Sequence, residues 1–492
     1  MVNLFTDNVW AWFDPKLPSN YAQTLWDRLA YRDEGAKYSR AFQLGKTDGK
    51  VHLFDRNTQR FRAGLAPRAK RTLEFEDKVT VNITHTARDN EPHVPFKLDT
   101  GGRTPFEYQY GVVPAVGANR KGIIVSPTGT GKTMMMALII ATLRRKTLIV
   151  LNDLILLDQT QQEMEKFFSQ PVGMIGDGEF DIQDITVATV QSLRTILVTQ
   201  GPKNAKFADT YNFVKSVELV IHDEVHFADT TGVGVLYPYF EKADRVYGMS
   251  ATPYDWAHKS AKYGNQELEQ HFGEVIYDTT KLKGVDFIAL GIKVPLYVHT
   301  TWPRVKRFEY NEHKKLAFIP GKRGKYEVQD QTKNFSQARD DEILKNDQFI
   351  SMVARDVRHY TDQGMSCFVY AAHSLEYGDK ITKAIGGDAI FVNGSIKRQV
   401  RRDIFQQILR KERLVLVSDV GGVGLDIKTL DAIFQASDIT DVRQLKGRVE
   451  RAAPGKSYGI LHDYCFSCDF LGKHFDTRKS QYLKDKNIVV GG

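Results

Sequence analysis

Cysteine is nearly absent, with three in 492 residues. So few thiols in so long a chain exclude a disulfide scaffold and point to a reducing compartment, the cytoplasm. Cys465 and Cys468 form a C-x-x-C, but no second pair and no flanking histidine completes a zinc spacing, so they read as structural thiols. No apolar run reaches the roughly 18 residues of a membrane-spanning helix. The N-terminus, MVNLFTDNVWAW, lacks the basic-then-apolar pattern of a secretory signal. There is no repeat of fixed period and no low-complexity tract, which sets solenoids aside. What remains is globular composition, 42% apolar and 26% charged. At about 150 residues per domain the length suggests roughly three domains.

The net charge is +8, and its placement matters more than its size. Between Arg40 and Arg71, nine Lys or Arg face only Asp48 and Asp55, a net +7. Between Trp302 and Lys325, eight face Glu309 and Glu312, a net +6, so the rest of the chain is net −5. Clustered positive charge is the footprint of a protein that binds a polyanion, although two solvated basic loops give the same count. Trp302, Phe308, Tyr310 and Phe318 lie among the bases of the second stretch. There they could stack on nucleobases or simply belong to a surface insertion.

From about Lys121 the chain alternates short apolar runs with helical segments. KGIIVS, TLIVLN, ITVATV, ELVIHDE and RVYGMSA read as strands, and TMMMALIIATLRR and DLILLDQTQQEMEKFF as helices. A second series follows: SCFVYAA, AIFVNG, RLVLVSD, AIFQAS and YGILHDY, with KRQVRRDIFQQILRKE as a helix. Such alternation predicts parallel sheets covered on both faces, hence two α/β domains joined near Lys281 to Lys293. The first hundred residues are loop-rich and aromatic, with strand candidates in KVHLFD and KVTVNITH and no long helical period. The expected division is an accessory domain over 1–100, of mixed α/β or β-rich type, and α/β domains over 101–290 and 291–492. The last carries a basic insertion at about 302–340.

The segment SPTGTGKT, Ser126, Pro127, Thr128, Gly129, Thr130, Gly131, Lys132 and Thr133, follows a strand and opens a helix. That is the context of a phosphate-binding loop. Its glycines let backbone N–H groups turn inward, and the helix N-terminus adds positive dipole. Lys132 is placed to reach β- and γ-phosphates, and the Thr133 hydroxyl to ligate Mg²⁺. Ser126 stands where the general pattern has Gly, at a position that sets the turn. Downstream, LVIHDEVH puts Asp223 and Glu224 at the end of an apolar strand. One carboxylate suits holding Mg²⁺ and the other orienting water. Alone, Asp-Glu after a strand is an ordinary turn, and its weight comes from the loop upstream. His222 and His226 could ligate a metal, although polar contacts near the site are their commoner fate.

SPTGTGKT with DEVH and then GMSATP, Gly248 to Pro253, resembles the DExH branch of superfamily 2 helicases. The resemblance runs from about Arg103 to Tyr464. It implies two tandem RecA-like motor domains that use ATP and Mg²⁺. It also implies that Phe106 and Gln109 read adenine and that Thr189 and Ser418 grip a nucleic-acid backbone. By the same resemblance Asp426 lies near the ribose. QLKGRVERA is similar to the last motor block, so Gln444, Arg448 and Arg451 are implied in catalysis, the two arginines reaching the γ-phosphate. GAKYSRAFQLGKTDGKVHLFDRNTQRFRAGL resembles the accessory domain of UvsW-type phage recombination helicases, which implies DNA contacts at Lys50, Arg56, Arg60 and Arg62. A hairpin with Phe54 and Phe61 in its own core accounts for the same residues. Together these imply an ATP-hydrolysing DNA helicase or translocase on forked, branched or single-stranded DNA, moving 3′ to 5′ in phage replication or recombination. It would act as a monomer in the host cytoplasm, with no membrane partner. An RNA helicase, a restriction-type translocase subunit, or a nucleic-acid-binding ATPase switch that does not unwind remain as alternatives.

Overall fold

The computed structural model describes residues 1–33, 36, 39–87, 94–152, 154–225, 234–240, 242–253, 261–303, 314–318, 325–329, 338–419, 427–440, 442–466, 469–483, 485 and 488–491. The chain forms two compact units, Met1–Val285 and Asp286–Gly492.

The first unit begins with β1 (Val2–Thr6), β2 (Trp10–Phe13), α1 (Ser19–Arg28), β3 (Ala30–Arg32), β4 (Lys50–His52), β5 (Arg60–Arg62), α2 (Ala66–Glu76) and β6 (Val81–His85). Four of the strands form a sheet in the order β5-β2-β1-β6, and β3 pairs antiparallel with β4. Leu4, Phe13, Leu25, Phe54, Phe61 and Leu73 fill a core of their own. The strands expected in KVHLFD and KVTVNITH are β4 and β6. Against the expectation of no long helical period, α1 and α2 run 10 and 11 residues. The buried face of α2 is only Ala66, Ala69 and Leu73, a stripe too small to stand out among its charged residues.

The larger part of this unit comprises β7 (Lys121–Val125), α3 (Lys132–Leu143), β8 (Thr147–Leu151), β9 (Gly173–Gly176), β10 (Glu179–Asp181), β11 (Ile185–Thr189), β12 (Leu219–Asp223), β13 (Arg245–Ser250), α4 (Ala261–Phe272) and β14 (Val275–Asp278). Its eight strands run β10-β9-β11-β8-β12-β13-β7-β14. All neighbours are parallel except the β10–β9 pair at the edge. Central strands such as TLIVL are buried along their whole length, as a sheet covered on both faces requires. Helix α3 is buried on nearly every side from Met134 to Ile140, which explains why its sequence shows no polar stripe. The register sets Asp223 beside Met249 and Ser250 beside Val125, so β12, β13 and β7 end side by side. Ligand sites of open parallel sheets form at that carboxyl edge.

The N-terminal segment packs on this sheet's flank. A Cβ at Gly64 would lie 2.2 Å from the Glu269 carbonyl oxygen, so the backbone before α2 sits directly on α4. The Arg68 guanidinium donates to the Glu269 carboxylate (2.8 and 2.5 Å), and Arg71 pairs with Glu274. Gln266 reaches back to the Arg28 carbonyl at 2.9 Å.

The second unit contains β15 (Leu296–Thr301), β16 (Lys314–Phe318), β17 (Lys325–Gln329), β18 (Cys367–Tyr370), β19 (Ile390–Val392), β20 (Val415–Ser418), β21 (Ala432–Gln435), α5 (Arg443–Val449), β22 (Gly459–Tyr464) and β23 (Ile488–Gly491). Its sheet, β19-β20-β18-β21-β22-β15-β23, is parallel throughout. The five strands expected in this half are β18 to β22. The basic insertion contributes the antiparallel pair β16–β17. No described helix is long and apolar enough to cross a membrane.

Candidate nucleotide-binding site

The loop between β7 and α3 is built by its glycines. Gly129 and Gly131 both have φ of 83°, a conformation that a side chain disfavours. A Cβ at Gly131 would also lie 2.3 Å from Gln109 Nε2. The Thr130 carbonyl accepts from Gln109 Nε2 (3.0 Å) and from the Tyr108 hydroxyl (2.7 Å). Ser126 and Thr130 share a hydroxyl–hydroxyl bond of 2.6 Å, and Thr130 also donates to the Pro127 carbonyl at 2.7 Å. Ser126 is thus a working part of the turn. Of the two residues that the resemblance assigns to adenine, Gln109 is buried on the short helix Glu107–Tyr110 and Phe106 is exposed at that helix's N-cap.

At the strand edge, Lys132 Nζ donates to Glu224 Oε1 and lies 3.7 Å from Asp223 Oδ1. The three side chains are only 10 to 13% exposed, where opposite charges interact more strongly than in water. Glu224 has φ of 52°, in the left-handed region, a strained conformation for a residue with a Cβ. Asn152, at the end of β8, donates to the carbonyls of Glu224 (3.0 Å) and Asp223 (3.3 Å) and braces that turn. Asn152 and Tyr108 were not anticipated. A polar residue closing the apolar run TLIVLN was the available signal for the first.

The loop keeps one donor unused. The Thr128 hydroxyl is buried and has no hydrogen-bond partner among the described residues. A cage of left-handed glycines, a helix N-terminus, one lysine, one hydroxyl and two carboxylates fits a phosphate chain carrying a divalent cation. His222 is not part of it. Burial lowers its pKa to about 3, so it is a neutral core group, 5.6 Å from the Phe272 ring. No His, Cys, Asp and Glu cluster suited to a metal alone occurs among the described residues.

The remaining predicted residues lie on several elements of the two units. Thr189 is fully buried, and its hydroxyl accepts from Ser192 N (3.2 Å), capping the helix Val190–Arg194. Gln191, two residues on, and Arg194 are the exposed side chains of that helix. Ser418 is likewise buried and donates to the Val392 carbonyl at 2.7 Å. Arg448 is 3% exposed on α5, and Arg451 pairs with Lys293 in a β-bridge just beyond it. Asp426, His226, Cys468, Phe308 and Tyr310 lie outside the described residues, as does the Gln444 side chain.

Of the N-terminal bases, Lys50, Arg56 and Arg60 are exposed, and Arg62 is half-buried with its guanidinium 4.2 Å from the Trp10 ring. Arg68 and Arg71, counted in the same +7, carry the ion pairs to α4 and Glu274 instead.

Residues 103–255 match the family described as the type III restriction enzyme res subunit. The DNA 3′-5′ translocase XPB2 of Sulfurisphaera tokodaii is 30% identical over 255 residues, 51% of this chain and 52% of that protein. The chain spans about half the length of the curated relatives it matches. Among solved structures, S. cerevisiae Dbp5 bound to RNA and ADP BeF3 is similar in fold, with a TM-score of 0.51, 14% identity, and cover of 79% of this chain and 90% of that one. The T4 UvsW crystal structure covers 99% of this chain and 98% of its own at 16% identity, with a TM-score of 0.45. The phosphate loop, the DEVH turn and the SATP block all lie inside the span that matches this family.

Proposed function

We propose that the chain is an ATP-driven DNA translocase or helicase of the DExH type. The observation that carries this reading is Lys132 held between Glu224 and Asp223 at the mouth of the glycine loop. Lys132 and the loop N–H groups would take the phosphates, and Thr133 and Asp223 the Mg²⁺. Glu224 would orient the attacking water. Bound ATP supplies the phosphoryl group whose transfer drives the motor. Arg448 and Arg451 are assigned to charge stabilisation during hydrolysis, since guanidinium stays ionised and forked.

The DNA substrate and 3′ to 5′ direction are supported by the similarity to the DNA 3′-5′ translocase of Sulfurisphaera tokodaii. The preference for forked or branched DNA, and a place in phage replication or recombination, rest on the DGKVHLFD stretch and the exposed bases of the N-terminal segment. Strand displacement on a forked duplex, with and without ATP, tests the reading. The restriction-family match favours a second form of it, translocation along intact duplex without unwinding. ATP-dependent displacement of a triplex-forming strand, with no separation of the duplex, would select that form.

A further inference from the structure

The N-terminal segment holds a cleft of about 920 Å³ that lies apart from every motor block. Trp10, Trp26, His52, Arg56 and Arg60 line it. Its volume falls in the range of about 300–1,000 Å³ in which proteins enclose small ligands. The indole of Trp26 is stacked on His52 at 3.7 Å with an interplanar angle of 8°, and Arg56 lies 5.4 Å from the same ring. Arg60 lies 5.4 Å from the Trp10 ring. His52 is fixed by Asp48 (2.9 Å) and the Trp26 carbonyl (3.0 Å), so the stack is a rigid platform. The one carboxylate in the lining, Asp55, accepts from the backbone of Asn57 (2.7 Å) and Thr58 (2.9 Å) and shapes the loop that carries Arg56.

We infer that this cleft binds unpaired nucleotides, the bases stacking on the Trp26 and Trp10 platform and the phosphates meeting Arg56 and Arg60. The inference rests on the nucleic-acid motor reading above and gives the N-terminal segment its own substrate chemistry. Duplex DNA offers a convex row of phosphates, with its bases stacked inside and out of reach of aromatic rings in a concavity. A single strand offers both a π-face and a phosphate to each residue pair, which is the chemistry of aromatic and arginine platforms. The cleft therefore favours the single-stranded arm of a fork over its duplex arms.

The test uses the full chain without nucleotide, at fixed salt, with three probes of equal length: oligo(dT), an abasic deoxyribose-phosphate oligomer, and duplex DNA. Trp26→Leu should weaken oligo(dT) binding about five-fold or more while leaving the abasic oligomer unchanged. The exposed pair Arg56→Gln with Arg60→Gln should weaken both single-stranded probes. Independently of any variant, oligonucleotides carrying iododeoxyuridine should photo-cross-link to the peptides that contain Trp10 or Trp26. Cross-links confined to motor peptides, or equal loss of oligo(dT) and abasic binding in Trp26→Leu, would overturn the inference. Unchanged oligo(dT) binding in all variants would do the same. Stimulation of ATP hydrolysis by oligo(dT) reports on the motor separately, so retained stimulation without cleft cross-links rejects the cleft alone.

Discussion

The glycine loop at Lys132 and the basic stretch from Arg40 to Arg71 are both visible as sequence patterns, the first the stronger, yet they fold into different kinds of object. The loop is made by local backbone geometry. Two left-handed glycines, a strand end and a helix start are set by eight consecutive residues, and Lys132 has little choice of where to go. The basic stretch is a sum over residues whose partners are far away in sequence. Arg68 and Arg71 meet Glu269 and Glu274, about two hundred residues on, and hold the segment to α4. Arg56 and Arg60 stay exposed beside tryptophans. A charge count finds the surface but cannot divide anchors from contacts.

That contrast is open to experiment. Lys132→Ala should abolish ATP hydrolysis with the fold kept, as checked by turnover and a thermal melt, because its removal leaves the glycine cage in place. Arg451→Ala should lower turnover by at least about ten-fold with a smaller effect on ATP affinity, as arginines in phosphoryl-transfer sites do. Retention of most of the turnover would remove Arg451 from the site.

The flank of the first unit should respond to acid. Burial lowers His222 and His271 to about 3, the latter also through Arg62, Lys121 and His222. The unfolded chain takes up these protons below its ordinary histidine pKa of about 6.5, and the folded chain does not until about 3. Stability is therefore full above about pH 6.5 and falls as pH drops toward 3, by roughly 1.4 kcal/mol per unit for each histidine. Urea midpoints across this range check it, and His271→Asn should flatten the slope.

Arg68→Ala should destabilise the first unit by about 1–3 kcal/mol, since it leaves the buried Glu269 carboxylate without its cation. Arg71→Ala, at a more exposed pair, should cost at most about 1 kcal/mol. Arg56→Gln should leave stability unchanged. If Arg68 and Arg56 behave alike in chemical denaturation, the division into anchors and contacts fails. The same packing argues for point substitutions over truncation, because deleting the first 99 residues would uncover the face of α4 against Gly64.

Both parallel sheets were legible in the sequence, because continuous apolar runs such as TLIVL and RLVLVSD leave no alternative to a covered strand. The phosphate loop and the DEVH carboxylates were legible for the same local reason. What escaped depended on distant partners. Helix α2 hides behind alanines, and Asn152 acquires its role only through the turn after β12. Thr189 and Ser418 came from the resemblance alone, and in this fold their hydroxyls cap a helix and bond the neighbouring strand, at full burial. Side-chain type was readable there, and direction was not.

The central claim is that Glu224, held against Lys132, drives nucleic-acid-stimulated ATP hydrolysis at the end of β12. It is tested most directly by one ATPase titration of wild type and Glu224→Gln against forked DNA, linear duplex, single strand and RNA at fixed salt. The wild type should be stimulated by DNA, most by the fork. Glu224→Gln should bind nucleotide normally and show no turnover with any of the four. A wild-type enzyme indifferent to every nucleic acid, or a Glu224→Gln variant that keeps its turnover, would contradict the account.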